Sequence, residues 1–213
     1  MRHMNLEMVK KLRPIAKNIV KYLQPTLSSE ASRANIVQYL KGMLKEKKLD
    51  AFETGSFSWK TYLPDSDIDI GIIPSDAKDA CKNTDECAQQ DTLMSVNELL
   101  CLESCRPSGH KNKDNKSRVT HKPIVRNVSF VSGHVKVVKC VVNNITVDLC
   151  ILQRKALGAV SYFEAIDRLV GLDHLFKRSL ILIKGWCTYE GIRFAKATMG
   201  SGTAMAKGNR NSL

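Results

Sequence analysis

Two aspartates separated by a single apolar residue, Asp67 and Asp69, are the most informative feature of the sequence. Residues i and i+2 of an extended strand face the same way, so both carboxylates would lie side by side while Ile68 and Ile70 turn into the core. Asp148 interrupts another apolar stretch, and an adjacent strand could bring it beside them. Unit charges about 4 Å apart repel by on the order of 4 kcal/mol at an effective dielectric near ~20. Three such carboxylates either take up protons or bind divalent cations, and oxygen ligands favour Mg²⁺ or Mn²⁺.

A Gly-Ser pair, Gly55-Ser56, precedes Asp67 with ten residues in between. The pair follows a predicted strand, and we expect the chain to turn there into a short helix. Backbone N–H groups and a hydroxyl at such a turn can hold an anion, as helix N-termini hold phosphates. A nucleoside triphosphate is the natural ligand for this turn and a neighbouring metal site together.

The hydrophobic periodicity predicts an α/β protein with a mixed β-sheet backed by helices. Helical patterns cover residues 5–23, a segment opening with Ser28-Ser29-Glu30 as its N-cap signal, and residues 84–105, 160–170 and 174–190. Strand patterns cover residues 49–54, 66–73, 124–132, 134–142 and 145–150. Residues 106–126 carry seven Lys or Arg and one acidic residue, which predicts a solvated loop.

The composition excludes several classes of protein. The 213 residues carry 33 Lys and Arg against 21 Asp and Glu, a net charge of +12, with 43% hydrophobic and 25% charged residues. These values are close to the globular average, and no apolar run reaches the roughly 18 residues that a membrane span needs. Seven cysteines without a CxxC pair argue against a disulfide framework. We expect an intracellular protein, nuclear or cytoplasmic, with no membrane partner.

The spacing of these residues resembles that of the DNA polymerase β-like nucleotidyltransferase superfamily. Its pattern is a Gly-Ser pair, a spacer, and then Asp-hydrophobic-Asp-hydrophobic, which Gly55-Ser56 and Asp67-Ile68-Asp69-Ile70 match. The run from Val135 to Asp148 and the segments 173–179 and 183–187 resemble the branch that contains poly(A) polymerases and oligoadenylate-synthase-related proteins, in its plant-type form.

The resemblance implies a two-metal nucleotidyl transfer to an RNA 3′ end, of the poly(A) or terminal uridylyl polymerase type. Asp67 and Asp69 would hold both Mg²⁺ (or Mn²⁺) ions and the triphosphate. Asp148 would bind the catalytic metal and help to deprotonate the attacking 3′-hydroxyl. The implied partners are therefore a nucleoside triphosphate and the 3′ end of an RNA.

The same resemblance assigns the remaining contacts and the domains. Gly55 and Ser56 would grip the β and γ phosphates, and Lys184 would reach the triphosphate from a helical segment. The expected domains are N-terminal helices over 1–48, a nucleotidyltransferase domain over 49–152 with an insertion at about 75–123, the start of a truncated helical domain over 153–195, and a disordered tail over 196–213.

Simpler interpretations remain open for each candidate residue. Asp67 and Asp69 could line a solvated strand face, and Asp148 could be a buried, hydrogen-bonded carboxylate. Ser56 could be a helix N-cap, and Lys184 could extend its ammonium from an apolar helix into water. The chain could also be an inactive truncated fragment that binds RNA or a protein through its positive charge, or a transferase that acts on a small molecule or a protein.

Overall fold

One mixed five-stranded β-sheet organises the fold. The computed structural model describes residues 6–75, 86–106, 122–152 and 154–190. The strands are β1 Leu49–Thr54, β2 Ile68–Pro74, β3 Val125–Val131, β4 Val137–Val142 and β5 Ile145–Ile151. They lie in the order β1-β2-β5-β4-β3, with β2 parallel to β5 and the other neighbouring pairs antiparallel.

Helices back this sheet, which confirms the predicted α/β class. In the described parts of the chain they are α1 Leu6–Leu23, α2 Leu27–Glu46, α3 Gly55–Ser58, α4 Glu86–Ser104, α5 Arg154–Val170 and α6 Leu175–Tyr189. Helix α2 packs on β1 and α4 packs on β3, while α1 and α5 pack against α6. The predicted elements are all present, with boundaries displaced by a few residues.

The core lies between the sheet and helices α2 and α4. Alternate residues of the central strands point into it, because successive side chains of a strand face opposite sides of the sheet. Each buried aliphatic side chain contributes about 1.5–3 kcal/mol of hydrophobic stabilisation. The members with at most 1% exposure include Ile36, Val37, Leu40, Ile68, Ile70, Ile72, Leu93, Val96, Leu100, Val138, Cys140, Val147 and Leu149. The intervening residues of β2, β4 and β5 therefore belong to the opposite face, which is where polar side chains collect.

Three of the displaced boundaries concern α2, α5 and β4. The N-cap of α2 is Thr26, whose hydroxyl accepts a hydrogen bond from the backbone N–H of Ser29 at 3.2 Å. Thr26 has the extended backbone that a cap requires, with φ −99° and ψ 155°. Helix α5 begins at Arg154 rather than at 160, since Gly158 weakens helix propensity without ending the helix. Strand β4 begins at Val137 rather than at 134.

Several predictions fall on other parts of the chain. Most of the predicted basic loop over 106–126 and the whole predicted tail over 196–213 lie outside the described residues. Over the ranges that the structure does describe, no helix is both long and apolar enough to cross a membrane.

Candidate active site

Asp69 and Asp148 occupy the same level of two neighbouring strands. The parallel register of β2 and β5 pairs Asp69 directly with Asp148, and pairs Ile68 with Val147. Both apolar partners are fully buried, so the alternation of the strands places the two carboxylates together on the other face of the sheet. The sequence prediction that an adjacent strand brings Asp148 to the first aspartates is confirmed for Asp69.

Gly55 fits against Asp69 where no other residue would. It starts α3 with φ +61°, in the left-handed region that favours glycine. A Cβ added at Gly55 would lie 2.8 Å from Cγ of Asp69 and would overlap its carboxylate. Thr54, the residue before it, is the β1 partner of Asp69 in the sheet. The Gly-Ser turn and the acidic site are therefore in direct contact, as the sequence pattern predicted.

Asp67 precedes β2 at the end of a turn that a buried arginine holds. Arg33 of α2 is 1% exposed, and its guanidinium donates to the carbonyl of Pro64 at 3.2 Å and to the carbonyl of Asp67 at 3.4 Å. It also lies 4.5 Å from the centroid of the Tyr62 ring, in cation–π geometry. Sequence reasoning missed Arg33, because an arginine on a helix usually faces water.

Ser56 and Lys184 are both hydrogen-bonded to Thr61, in the turn that follows α3. The backbone N–H of Thr61 donates to the carbonyl of Ser56 at 3.0 Å. Lys184 of α6 donates from Nζ to the carbonyl of Thr61 at 3.0 Å and to its hydroxyl at 3.3 Å. Ser56 is not a helix N-cap, because Thr54 holds that position. The lysine that the resemblance assigned to the triphosphate is thus attached to the turn carrying Ser56.

The ammonium of Lys184 is partly removed from water. Burial lowers the pKa of Lys184 below its ordinary value, and the negative charge of Asp69 offsets part of that shift. A lysine that extends freely into solvent would not be desolvated in this way. The structure therefore places Lys184 in the electrostatic environment of the acidic site.

An aromatic cluster joins this turn to the helical layer. The Trp59 ring lies 4.0 Å from the Phe163 ring of α5, centroid to centroid, and Phe163 stacks on Phe176 of α6 at 5.9 Å. Aromatic pairs at such separations add about 0.5–1.5 kcal/mol beyond the burial of their surface. The cluster therefore links the end of α3 to helices α5 and α6.

The cysteines nearest to the carboxylates stay protonated. Burial, followed by the charges of Asp69 and Asp148, raises the pKa of the Cys150 thiol to about 11. Burial, followed by the charge of Asp148, raises that of Cys140 to about 12. Without a metal ion both thiols are therefore protonated at neutral pH, and the buried Cys140 belongs to the core face of the sheet rather than to the face of the carboxylates.

The carboxylate pair fits a hard divalent cation. Mg²⁺ is commonly bound by one or two carboxylates together with substrate phosphates and waters, rather than by an all-protein cage. Asp69 and Asp148 supply such a pair, and Asp67 stands two residues before Asp69. Among the residues that the structure describes, no group of three His, Cys, Asp or Glu side chains is arranged to hold a metal ion. The three-ligand site thus remains a prediction.

The mixed five-stranded sheet backed by helices matches the nucleotidyltransferase fold of several solved structures. A cytoplasmic RNA terminal U-transferase matches 86% of this chain with a TM-score of 0.60 at 14% identity. The Cid1 poly(U) polymerase bound to MgATP, an H336N mutant, matches 86% with a TM-score of 0.62 at 15% identity. The polymerase core of TRAMP, an RNA surveillance complex, matches 83% with a TM-score of 0.57 at 16% identity.

These similarities concern the fold alone. The chain spans about half the length of the structures it matches, 47% to 50% of those three. No protein-family model matches the sequence, and no curated protein matches it.

Proposed function

We propose that this protein is a metal-dependent RNA nucleotidyltransferase that adds nucleotides, adenylate or uridylate, to an RNA 3′ end. The observation that carries the proposal is the pairing of Asp69 with Asp148 beside Gly55. Support also comes from the fold, since the matching structures include a terminal U-transferase and a poly(U) polymerase. The plant-type character rests on the sequence resemblance.

The three aspartates share one part in the proposed reaction, and Asp148 has a second. Asp67, Asp69 and Asp148 would hold Mg²⁺ or Mn²⁺, which when bound polarises the phosphoryl oxygens and makes the 3′-hydroxyl more acidic. A carboxylate oxygen of Asp148 would accept the proton of that hydroxyl. The 3′-oxygen then forms its bond to the α-phosphorus as the bond to the β-phosphate oxygen breaks, and pyrophosphate leaves.

The turn at Gly55 and the ammonium of Lys184 would bind the triphosphate. The absence of a Cβ lets the backbone approach both Asp69 and a phosphate. Two of the three donors of Lys184 serve Thr61. A phosphate oxygen is a suitable acceptor for the third, and the contact would restore interactions that the ammonium loses by burial.

Extension of a labelled RNA with a free 3′-hydroxyl tests the proposal. The chain is incubated with each nucleoside triphosphate in turn and with Mg²⁺ or Mn²⁺. We expect extension that EDTA abolishes and that Asp69→Asn reduces at least about 100-fold, the range for losing a group that acts in the transition state. The control is Asp50→Asn, an exposed aspartate of β1. Extension that survives Asp69→Asn, or no extension by the unchanged protein, contradicts the proposal.

The net charge of +12 favours one alternative, a basic RNA-binding module without turnover. Such a module would bind RNA with an affinity that falls steeply as salt rises. Its binding would not respond to Mg²⁺ or to Asp69→Asn. Filter binding of the same RNA at several salt concentrations, combined with the extension assay, distinguishes the two functions, because the enzyme proposal predicts extension and the module predicts retention alone.

A further inference from the structure

A lysine stands in the acidic row of the sheet. The antiparallel register of β4 and β5 pairs Lys139 with Asp148, while Asp148 is itself paired with Asp69 on β2. Three charged residues therefore follow one another across neighbouring strands, negative, negative and positive. Val138 and Cys140 on either side of Lys139 are buried, so Lys139 shares the face of the two carboxylates.

Lys139 and Asp148 form a close ion pair. Nζ of Lys139 lies 2.5 Å from Oδ2 of Asp148. The side chains are 35% and 16% exposed, so the pair is less screened by water than a surface salt bridge. The negative charge of Asp69 on the next strand further favours a cation at this level of the sheet. One carboxylate oxygen proposed as a metal ligand is thus already occupied by an ammonium.

We propose that Lys139 is a resident counter-ion that neutralises Asp148 before the metal binds and that the metal must displace. The inference rests on the proposed function, since it assumes that Asp148 is a metal ligand. An ammonium and a divalent cation compete for the same oxygen, and the positive charge of Lys139 also repels the incoming ion. Lys139 therefore lowers the affinity of the site for metal while it keeps the two carboxylates compatible without one.

The counter-ion role predicts that metal affinity rises when Lys139 is replaced, and a purely structural lysine does not predict this rise. Removal of a residue that merely supports the strand would weaken metal binding or leave it unchanged. Removal of a competing counter-ion strengthens it. The direction of the change in affinity decides between the two roles, independently of any activity.

The test is a titration of the nucleotide-free protein with Mn²⁺ alone, with free Mn²⁺ followed by electron paramagnetic resonance. We expect Lys139→Met to bind Mn²⁺ roughly tenfold more tightly than the unchanged protein, the effect of removing one partly screened like charge. Lys139→Arg keeps a positive charge beside Asp148 and should therefore bind Mn²⁺ as weakly as the unchanged protein. The matched control is Lys136→Met, which removes a lysine that forms an ion pair with Glu86 of α4 at 3.8 Å.

The melting temperature provides a second readout if Lys139→Met is less stable than the unchanged protein. The two carboxylates then lack their counter-ion, so Mn²⁺ should raise the melting temperature of this variant more than that of the unchanged protein. Equal or weaker Mn²⁺ binding by Lys139→Met, while the unchanged protein binds Mn²⁺, overturns the role of Lys139 and leaves the proposed function standing. Absence of Mn²⁺ binding in both the unchanged protein and Lys139→Met, or binding that survives Asp69→Asn, overturns both.

Discussion

Asp69 and Asp148 face each other across the parallel pair β2 and β5, although 78 residues separate them in the sequence. Two acidic side chains on adjacent strands repel, and a stable fold keeps them together at a cost. Two neighbouring residues help the fold to accommodate this pair. Gly55 makes room for the carboxylate of Asp69, and Lys139 pairs with Asp148.

Replacing Gly55 by alanine should damage both the fold and the site. Alanine at φ +61° costs roughly 1–2 kcal/mol, and its Cβ would also overlap Asp69. We expect the free energy of unfolding to fall by about 2 kcal/mol or more, with nucleotide binding lost. Urea denaturation and nucleotide titration measure the two effects.

Gly42 offers a matched control for that substitution. It lies within α2, and a Cβ added there meets nothing within 4 Å. Alanine at this position should stabilise the protein by about 0.5–1 kcal/mol, because glycine is a poor residue inside a helix. Similar behaviour of Gly55→Ala and Gly42→Ala would argue against a special role for the turn.

The buried arginine predicts a coupled loss of stability and of metal binding. Arg33→Met removes the donors to the carbonyls of Pro64 and Asp67 and leaves both without this partner. We expect a loss of about 3 kcal/mol in the free energy of unfolding. Weaker Mn²⁺ binding should accompany it, since the turn before Asp67 loosens. Chemical denaturation and Mn²⁺ titration provide the measurements.

Arg168 supplies the comparison for this change. It is exposed on α5, and Arg168→Met should alter stability by no more than about 0.5 kcal/mol. Lysine at position 33 retains the charge but not the planar fork that reaches two carbonyls, so Arg33→Lys should recover little. Full recovery by lysine would show that charge alone, rather than positioning of the turn, is what Arg33 provides.

The hairpin turn between β4 and β5 shows that part of the site could be predicted from the sequence. Asn143 and Asn144 both have positive φ, 48° and 66°, as the two central residues of a type I′ hairpin turn require. Such a turn pairs its flanking residues and fixes every later pair, including Lys139 with Asp148. The sequence therefore contains the signal for this ion pair.

Other parts of the site depend on packing that no local pattern reveals. The parallel alignment of β2 with β5 joins segments far apart in the chain, so the motif could predict that Asp69 and Asp148 meet but not their level in the sheet. Arg33 and Thr61 act through backbone carbonyls, whose positions follow from the tertiary fold. Trp59 and Phe163 likewise become neighbours only when α5 packs beside β1 and the short helix that follows it.

Asp167, a buried aspartate at the corner between α5 and α6, should make a pH-dependent contribution to stability. Asp167 is 2% exposed and lies 2.6 Å from Nδ1 of His174, and it accepts from the backbone N–H of Lys177 at 3.2 Å. Burial raises the pKa of Asp167, but the hydrogen bonds from His174 and Lys177 and their charges outweigh it, so the pKa lies below its ordinary value. Asp167→Asn should cost about 2 kcal/mol at neutral pH.

The pH dependence follows from the sign of that shift. A lowered folded-state pKa means that the carboxylate stabilises the fold above its unfolded-state pKa, and that this contribution is lost as pH falls through the folded-state pKa. The stability difference between the unchanged protein and Asp167→Asn should thus shrink in acid, as pH falls through the folded-state pKa of Asp167. Denaturation of both proteins from pH 7 to about pH 2.5 measures it, with the exposed Asp173→Asn as control. A difference that grows in acid contradicts the assignment.

The central claim is that Asp69 and Asp148 serve one metal site, and a double-mutant cycle on Mn²⁺-dependent nucleotide binding tests it most directly. Asp69→Asn, Asp148→Asn and the double variant are compared with Asp50→Asn as control. We predict that each single change weakens binding by about tenfold or more, and that the double variant is little worse than either, because residues that act on one ion are not additive. Losses that simply add, or single variants that bind like the control, would contradict the account.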